Sequence, residues 1–325
     1  MSLAVWAGLL ALVTGPAAWA GTYPEREITL ILPFATGGTT DIVATTVAPL
    51  LEKELGQKIK ILSRSGQGGV TGTLELLKAP SDGYTLGMAT VSTTATNPAI
   101  NKALKYDPLV DLTPIINIVA TPNVLAVHPL FKADNFKQFL EELQRKPGKY
   151  SYASTGSGGI AHLQMEIFKS LTKTDIVHIA FRGASPAIGD VLNGQVMVLL
   201  DNLPSSMVYL KSGRLRPLAV AAPKRLAEFP EVPTFKELGL DSVNRSAYYG
   251  LVGPKDLPKE VVRRLNAAMT EVLKHPDVRK KLLAHGAFIL GGSPEDFHRQ
   301  IADELAYYKR EIEGLGLKFE AGVIN

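Results

Sequence analysis

The chain has 325 residues, of which 46% are hydrophobic and 20% charged, with a net charge of +4. That length makes two lobes the natural expectation, and the apolar content suffices for two cores. A balance of 35 basic against 31 acidic side chains is too even for a nucleic-acid footprint, and no like-charge block marks a disordered tail. The absence of cysteine excludes disulfides and thiolate chemistry.

Residues 1–20 read as an export signal. Residues 4–13 form an apolar run well short of the roughly 20 residues a membrane span needs, and Ala18-Trp19-Ala20 fits a small-x-small cleavage site. No Lys or Arg precedes the run, so only the amino terminus supplies positive charge there. Cleavage after Ala20 would release the mature chain into the periplasm. No later stretch is long and apolar enough to span a membrane.

Two stretches then open alike. Residues 27–34 have strand patterning, followed by Ala35-Thr36-Gly37-Gly38-Thr39-Thr40-Asp41 and an amphipathic helix to residue 55. Residues 149–153 have a shorter strand pattern, followed by Ser154-Thr155-Gly156-Ser157-Gly158-Gly159 and a helix through residue 171. Each is the opening of a βαβ unit. Strands at 58–63 and 85–90, flanking a helix at 69–78, continue the first. Strands at 175–181 and 195–201, flanking a helix at 185–193, continue the second. The matched order predicts two similar parallel-sheet lobes.

Residues 113–129 are expected to leave the first lobe and enter the second, and a strand at 214–222 begins the return. Residues 223–245 are proline-rich and irregular, and a strand at 248–253 re-enters the first lobe. Helices at 258–275 and from Ser293 to residue 314 should pack on the first lobe; Ser293-Pro294-Glu295-Asp296 is a capping-box signature. The predicted division is lobe 1 at 21–122 and 223–325, and lobe 2 at 123–222.

Enzymatic chemistry finds poor support. Gly156-Ser157-Gly158-Gly159-Ile160-Ala161 satisfies G-x-G-x-x-A, but the next strand ends Ile179-Ala180-Phe181-Arg182, without the acidic residue a ribose requires. Ser157 sits in a near G-x-S-x-G context with His162 five residues later on the same helix, whereas a triad histidine comes from a separate loop. The six histidines lack ligand spacing, so neither a metal nor a cofactor is expected. What remains is the pair of glycine- and hydroxyl-rich turns. A helix N-terminus offers unpaired N–H groups and the positive end of its dipole, which suits an anion. Two such turns opening two matched lobes predict an anion clamped in the cleft between them. They carry no Lys or Arg, so their glycines and hydroxyls should matter more to binding than Arg182 or Arg64.

At this point the sequence resembles a known family. Tyr23-Pro24-Glu25-Arg26-Glu27-Ile28, leading to residues 33–41, is similar to the opening of the Bug-type solute receptors of tripartite tricarboxylate transporters. Further matches are Asp82-Gly83-Tyr84, Asn97-Pro98, Tyr106-Asp107-Pro108, Pro147-Gly148-Lys149-Tyr150, Asp201-Asn202-Leu203-Pro204 and Glu231-Val232-Pro233-Thr234. The likeness covers essentially the whole mature chain. Three departures stand out: Thr36 where a smaller residue is usual, Phe181-Arg182 for the commoner Tyr-Lys, and Ser63-Arg64-Ser65-Gly66 for Asn-Arg-Pro-Gly.

The resemblance implies an α/β periplasmic-binding-protein type II fold, with two Rossmann-like lobes joined by two crossover segments. It implies a monomeric, non-catalytic receptor that delivers a small organic carboxylate to membrane permease subunits. By position, the implied ligand-binding residues are Phe34, Thr36, Gly37, Gly38, Thr39 and Asp41 from the first turn. Ser154, Thr155, Gly156, Ser157 and Gly158 come from the second, with Ser92, Thr93, Phe181, Arg182 and Asp201 beside them. Two alternatives share this sequence: a sensory receptor presenting ligand to a histidine kinase, and a periplasmic hydrolase using Ser157 and His162.

Overall fold

The computed structural model describes residues 23–319, so the export signal read at residues 1–20 lies outside the described residues. The chain begins with β1 (Ile28–Leu32), α1 (Thr39–Leu55), β2 (Ile59–Ser63), α2 (Val70–Leu76) and β3 (Thr85–Thr90). β1 pairs in parallel with both β2 and β3, so both its edges are hydrogen-bonded, and all of it but Thr29 is buried. After a wide turn at Ser92–Thr96 comes the short α3 (Asn97–Ile100). Then β4 (Leu112–Thr121) and β5 (Asn123–Val127) follow one another with only Pro122 between them.

Beyond α4 (Phe136–Arg145) the first pattern recurs: β6 (Ser151–Ser154), α5 (Ile160–Thr172), β7 (Val177–Ala180), α6 (Ala184–Leu192) and β8 (Val198–Asn202). β6 pairs in parallel with β7 and β8, as β1 does with β2 and β3. The chain continues through α7 (Leu203–Lys211), β9 (Arg216–Ala221) and the irregular stretch to β10 (Ala247–Pro254). It finishes with α8 (Lys259–Lys274), α9 (Pro276–Ala284), β11 (Phe288–Gly291) and α10 (Pro294–Gly314).

Two sheets result, ordered β11-β4-β10-β3-β1-β2 and β7-β6-β8-β5-β9. The expectation of parallel sheets needs correction, because both are mixed. β10 runs antiparallel to β3 and β4, and β5 runs antiparallel to β8 and β9. The parallel pairs are those joined by a helix, as βαβ connections require. Of the five antiparallel pairs among the described residues, four involve a strand that arrives from the other sheet; the fifth joins β11 to β4. β4 feeds β5, and β9 returns to β10, so each sheet holds one end of both crossovers.

Burial separates some central strands from some edge strands. β5 and β10 are buried throughout, whereas Val177 and Ile179 on edge strand β7, and Phe288 and Leu290 on edge strand β11, are partly or fully exposed. α8 and α10 pack on the six-stranded sheet, with Leu265, Val272, Phe297 and Tyr308 among its buried side chains. The capping box is present: Ser293 Oγ accepts from Asp296 N at 3.0 Å, and Ser293 N donates to Asp296 Oδ2 at 3.1 Å. Ser293→Ala should lower the unfolding free energy by about 1 kcal/mol, and Ser293→Asp should retain most of it. Urea titration followed by circular dichroism measures both.

Candidate functional site

Between the two sheets lies a small cavity, and its walls are built where helices begin. Gly38, Thr39 and Thr40 open α1, Ile160 opens α5, Ala184 opens α6, and Asn202 immediately precedes α7. Gly38, Gly159 and Gly183 are the N-caps of α1, α5 and α6, and none of the three supplies a side-chain cap. The first turns of these helices therefore present N–H donors and dipole ends that only another group can satisfy. One is already used across the cleft: Ile160 N donates to Ser92 Oγ at 3.1 Å.

Phe34, Thr90, Val91, Ser92 and Tyr249 complete the wall from the six-stranded sheet, and Thr155 and Asp201 from the other. Among the described residues, no Lys, Arg or His lines the cavity. Its polar side chains form a connected set. Ser205 Oγ and Ser206 Oγ donate to Asp201 Oδ2 at 2.6 and 2.7 Å, and Thr39 Oγ1 lies 3.1 Å from Ser205 Oγ. The Tyr249 hydroxyl donates to Asn202 Oδ1 at 2.6 Å. Two buried oxygens, Thr40 Oγ1 and Asp201 Oδ1, have no partner among the described residues. Burial pushes the Asp201 carboxyl above its usual range, against the smaller opposing pull of the Ser205 and Ser206 hydroxyls and the Asn202 backbone.

Of the residues expected to bind ligand, Phe34, Gly38, Thr39, Ser92, Thr155 and Asp201 meet in this cavity. The others lie around it. Thr36 is exposed, and its carbonyl accepts from Ser185 Oγ at 2.8 Å. Gly37 is exposed with φ +77°, and its N–H donates to Asp41 Oδ2 at 2.8 Å, so Asp41 holds the turn. Thr93 is buried behind the wall, with its Oγ1 accepting from Thr90 N at 3.0 Å. Phe181 is half-buried and Arg182 exposed; Arg64 pairs with Glu75 on α2 at 2.8 Å.

Ser154, Gly156, Ser157 and Gly158 form a support and a closing surface in place of a wall. Gly158 N donates to His162 Nδ1 at 3.1 Å, and Ser154 Oγ lies 2.6 Å from His178 Nε2. The two imidazoles stack at 4.1 Å with planes 9° apart. Burial, aided by Lys169, lowers His162 to about 4; burial, His162 and Lys169 lower His178 to about 3. Both are neutral buttresses beneath the turn. His162 Nδ1 is taken by a backbone amide, which leaves the hydrolase reading without a base bonded to Ser157.

On the opposite face the turn meets residues that the sequence reading passed over. Thr96 Oγ1 donates to Gly158 O at 2.8 Å, and Asn97 Nδ2 donates to Gly68 O at 2.9 Å. Gly156 has φ +141°, and a Cβ there would stand 3.0 Å from the backbone of Gly68. Thr40, Ile160, Ala184, Asn202 and Tyr249 were also missed as wall residues. Gly183 before the helix at 185–193 could have been read as a third glycine-opened turn. Tyr249 carried no signal, because it reaches the cavity only through the return of β10.

The chain also resembles known proteins in sequence and fold. The profile of the family described as tripartite tricarboxylate transporter family receptor matches residues 43–317. Protein BugT of Bordetella pertussis is 33% identical over 302 residues, covering 93% of each chain. A solved structure described as a periplasmic transporter has a TM-score of 0.89 at 43% identity, covering 92% of this chain and 100% of its own. R. palustris Rpa4515, solved with adipate, has a TM-score of 0.86 at 33% identity, covering 90% of this chain and 98% of its own. The chain is thus a two-lobed α/β protein of the periplasmic-binding-protein type and belongs to the tripartite tricarboxylate transporter receptor family.

Proposed function

We propose that the chain is an extracytoplasmic solute receptor that clamps one small organic carboxylate between its lobes and delivers it, unchanged, to a tripartite tricarboxylate-type permease. The observation that carries this reading is the convergence of α1, α5 and α6 on a cavity with glycine N-caps, hydroxyl donors and, among the described residues, no lysine or arginine. An anion there is met by backbone N–H groups and dipole ends without a buried counter-charge. The adipate in Rpa4515 supports a carboxylate as that anion. Among the described residues no helix is long and apolar enough to cross a membrane; in this reading the receptor is a monomer that meets its permease as a separate protein. Export through residues 1–20 places it in the periplasm.

Residues 21–122 with 223–325, and residues 123–222, move in this proposal as two units about the paired crossovers. Ligand contacts to both would shift the open–closed equilibrium toward closure. Small-angle scattering of the wild type should show compaction on saturation with adipate or another dicarboxylate that calorimetry finds to bind. Gly156→Val strains the turn and puts a side chain against Gly68, so, with its fold checked by circular dichroism, it should lose the compaction and weaken binding at least about tenfold. An equal compaction in both proteins would remove the clamp.

The wall hydroxyls are expected to outweigh the nearby cations. Thr40 Oγ1 is buried and unpartnered among the described residues, so it is available to a ligand oxygen. A hydrogen bond to a charged group contributes about 1.5–3 kcal/mol, so Thr40→Ala should weaken carboxylate binding by roughly tenfold to a hundredfold. Arg182→Ala, on an exposed side chain, should change it by less than about threefold. Calorimetric titration of the two variants decides between a helix-terminus site and an arginine clamp.

A further inference from the structure

Asp201 is the one ionisable carboxyl in the cavity wall, and a second carboxylate placed beside it would be repelled. It is fully buried near the end of β8, where its carboxyl accepts from the Ser205 and Ser206 hydroxyls with the Asn202 backbone beside it. Both hydroxyl bonds fall on Oδ2. Thr39 Oγ1 stands behind Ser205, so the hydroxyl chain from α1 through α7 ends on that same oxygen. Oδ1 is left with no partner among the described residues, and it belongs to a residue lining the cavity.

The neighbours leave few other carriers of charge. Thr39 on α1, Ser205 and Ser206 on α7, Val124 on β5 and Tyr249 on β10 stand around it. Among these, Tyr249 is the group that titrates, and burial together with Asp201 itself raises its phenol further from ionisation. No cation reaches the cavity among the described residues to balance two negative charges. Two carboxyl groups forced together in such surroundings share a proton.

We propose that Asp201 is a proton-sharing specificity residue: on closure it takes one proton from solvent onto Oδ1 and donates it to a carboxylate oxygen of the bound ligand. The inference rests on the carboxylate-receptor reading and adds to it a linkage between binding and pH. With the lobes apart the carboxyl is solvated and ionised at neutral pH; with them closed over a carboxylate it is neutral. Affinity is then greatest at low pH and falls as pH rises from the ordinary aspartate range toward the raised closed-state value. Within that window one proton per ligand changes Kd by about tenfold per pH unit. His162 and His178, at about 4 and 3, titrate below a measurement made between about pH 5 and 8.

The test is calorimetric titration of the full-length mature protein with adipate, succinate and malate across that range, in paired buffers of different ionisation enthalpy. The expected result is uptake approaching one proton and a Kd that weakens with rising pH. Asp201→Asn keeps an acceptor for Ser205 and Ser206 and a permanent donor toward the ligand. It should bind with a flat pH profile, without proton uptake, and more tightly than wild type at pH 7 by the factor the wild type loses from pH 5. Wild-type binding with no proton exchange and no pH dependence overturns the inference while leaving the receptor reading intact. So does a wild type that binds without proton uptake while Asp201→Asn fails to bind, which would make Asp201 an ionised acceptor for a ligand hydroxyl or amine. If none of the three acids binds at any pH, the carboxylate reading itself fails and this inference fails with it. The proton-uptake measurement needs no variant, so misfolding of Asp201→Asn cannot shelter the proposal.

Discussion

The arrangement depends on helices that begin without capping themselves. A side-chain cap at Gly38, Gly159 or Gly183 would satisfy the first N–H groups locally, and the cavity would lose its attraction for an anion. Glycine leaves those groups open. The contrast with α10 is instructive: on the outer face of the six-stranded sheet, Ser293 and Asp296 close the helix start completely. α10 is capped, whereas the three helices that converge on the cleft begin bare. Stability forgone at each glycine N-cap, roughly a few tenths of a kcal/mol relative to a good cap, is offset when something negative occupies the cavity.

Closure imposes a second demand on the backbone. The two halves meet through main chain as much as side chain, with Gly156 against Gly68 and the Gly158 carbonyl on Thr96. Positive φ and the close approach together exclude a Cβ at Gly156. Contacts of this kind are polar and small, which suits an interface that must open again. The stacked His162 and His178 lie beneath the same turn and bond Gly158 N and Ser154 Oγ, so its shape is held from within the lobe. The turn can therefore dock on the other half as a preformed surface.

Much of this was legible in the sequence, and the misses have physical causes. Helix starts at α1 and α5 could be placed because glycine and hydroxyl residues end an apolar strand and precede a 3.6-period pattern. Thr36 and Thr39 look equivalent as letters. Only Thr39 follows the N-cap and turns inward; Thr36 lies before it and faces solvent. Ser157 and Ser92 were likewise indistinguishable, yet one supports a turn and the other lines the wall. Strand direction was misjudged because a buried strand is apolar whether it runs parallel or antiparallel. Tyr249 and Asn202 are brought together by tertiary pairing alone, across separate sheets.

That last pair shows how the cavity is tied to the crossovers. β10 carries Tyr249 into the wall as it returns to the six-stranded sheet, and its hydroxyl bonds Asn202 at the end of β8. The next residue, Leu203, donates its N–H to the carbonyl of Pro122, the single residue between β4 and β5. Asn123 Nδ2 bonds Gln164 on α5 at 2.7 Å, and Gln164 Nε2 reaches the carbonyls of Val243 and Arg245 before β10. Both crossovers are thus bonded to the helices that open on the cavity. A change of lobe angle moves these buried amides, whose unsatisfied state would be costly. The geometry accordingly favours a few discrete arrangements over a continuous flexing, and a ligand held by both sheets selects the closed one.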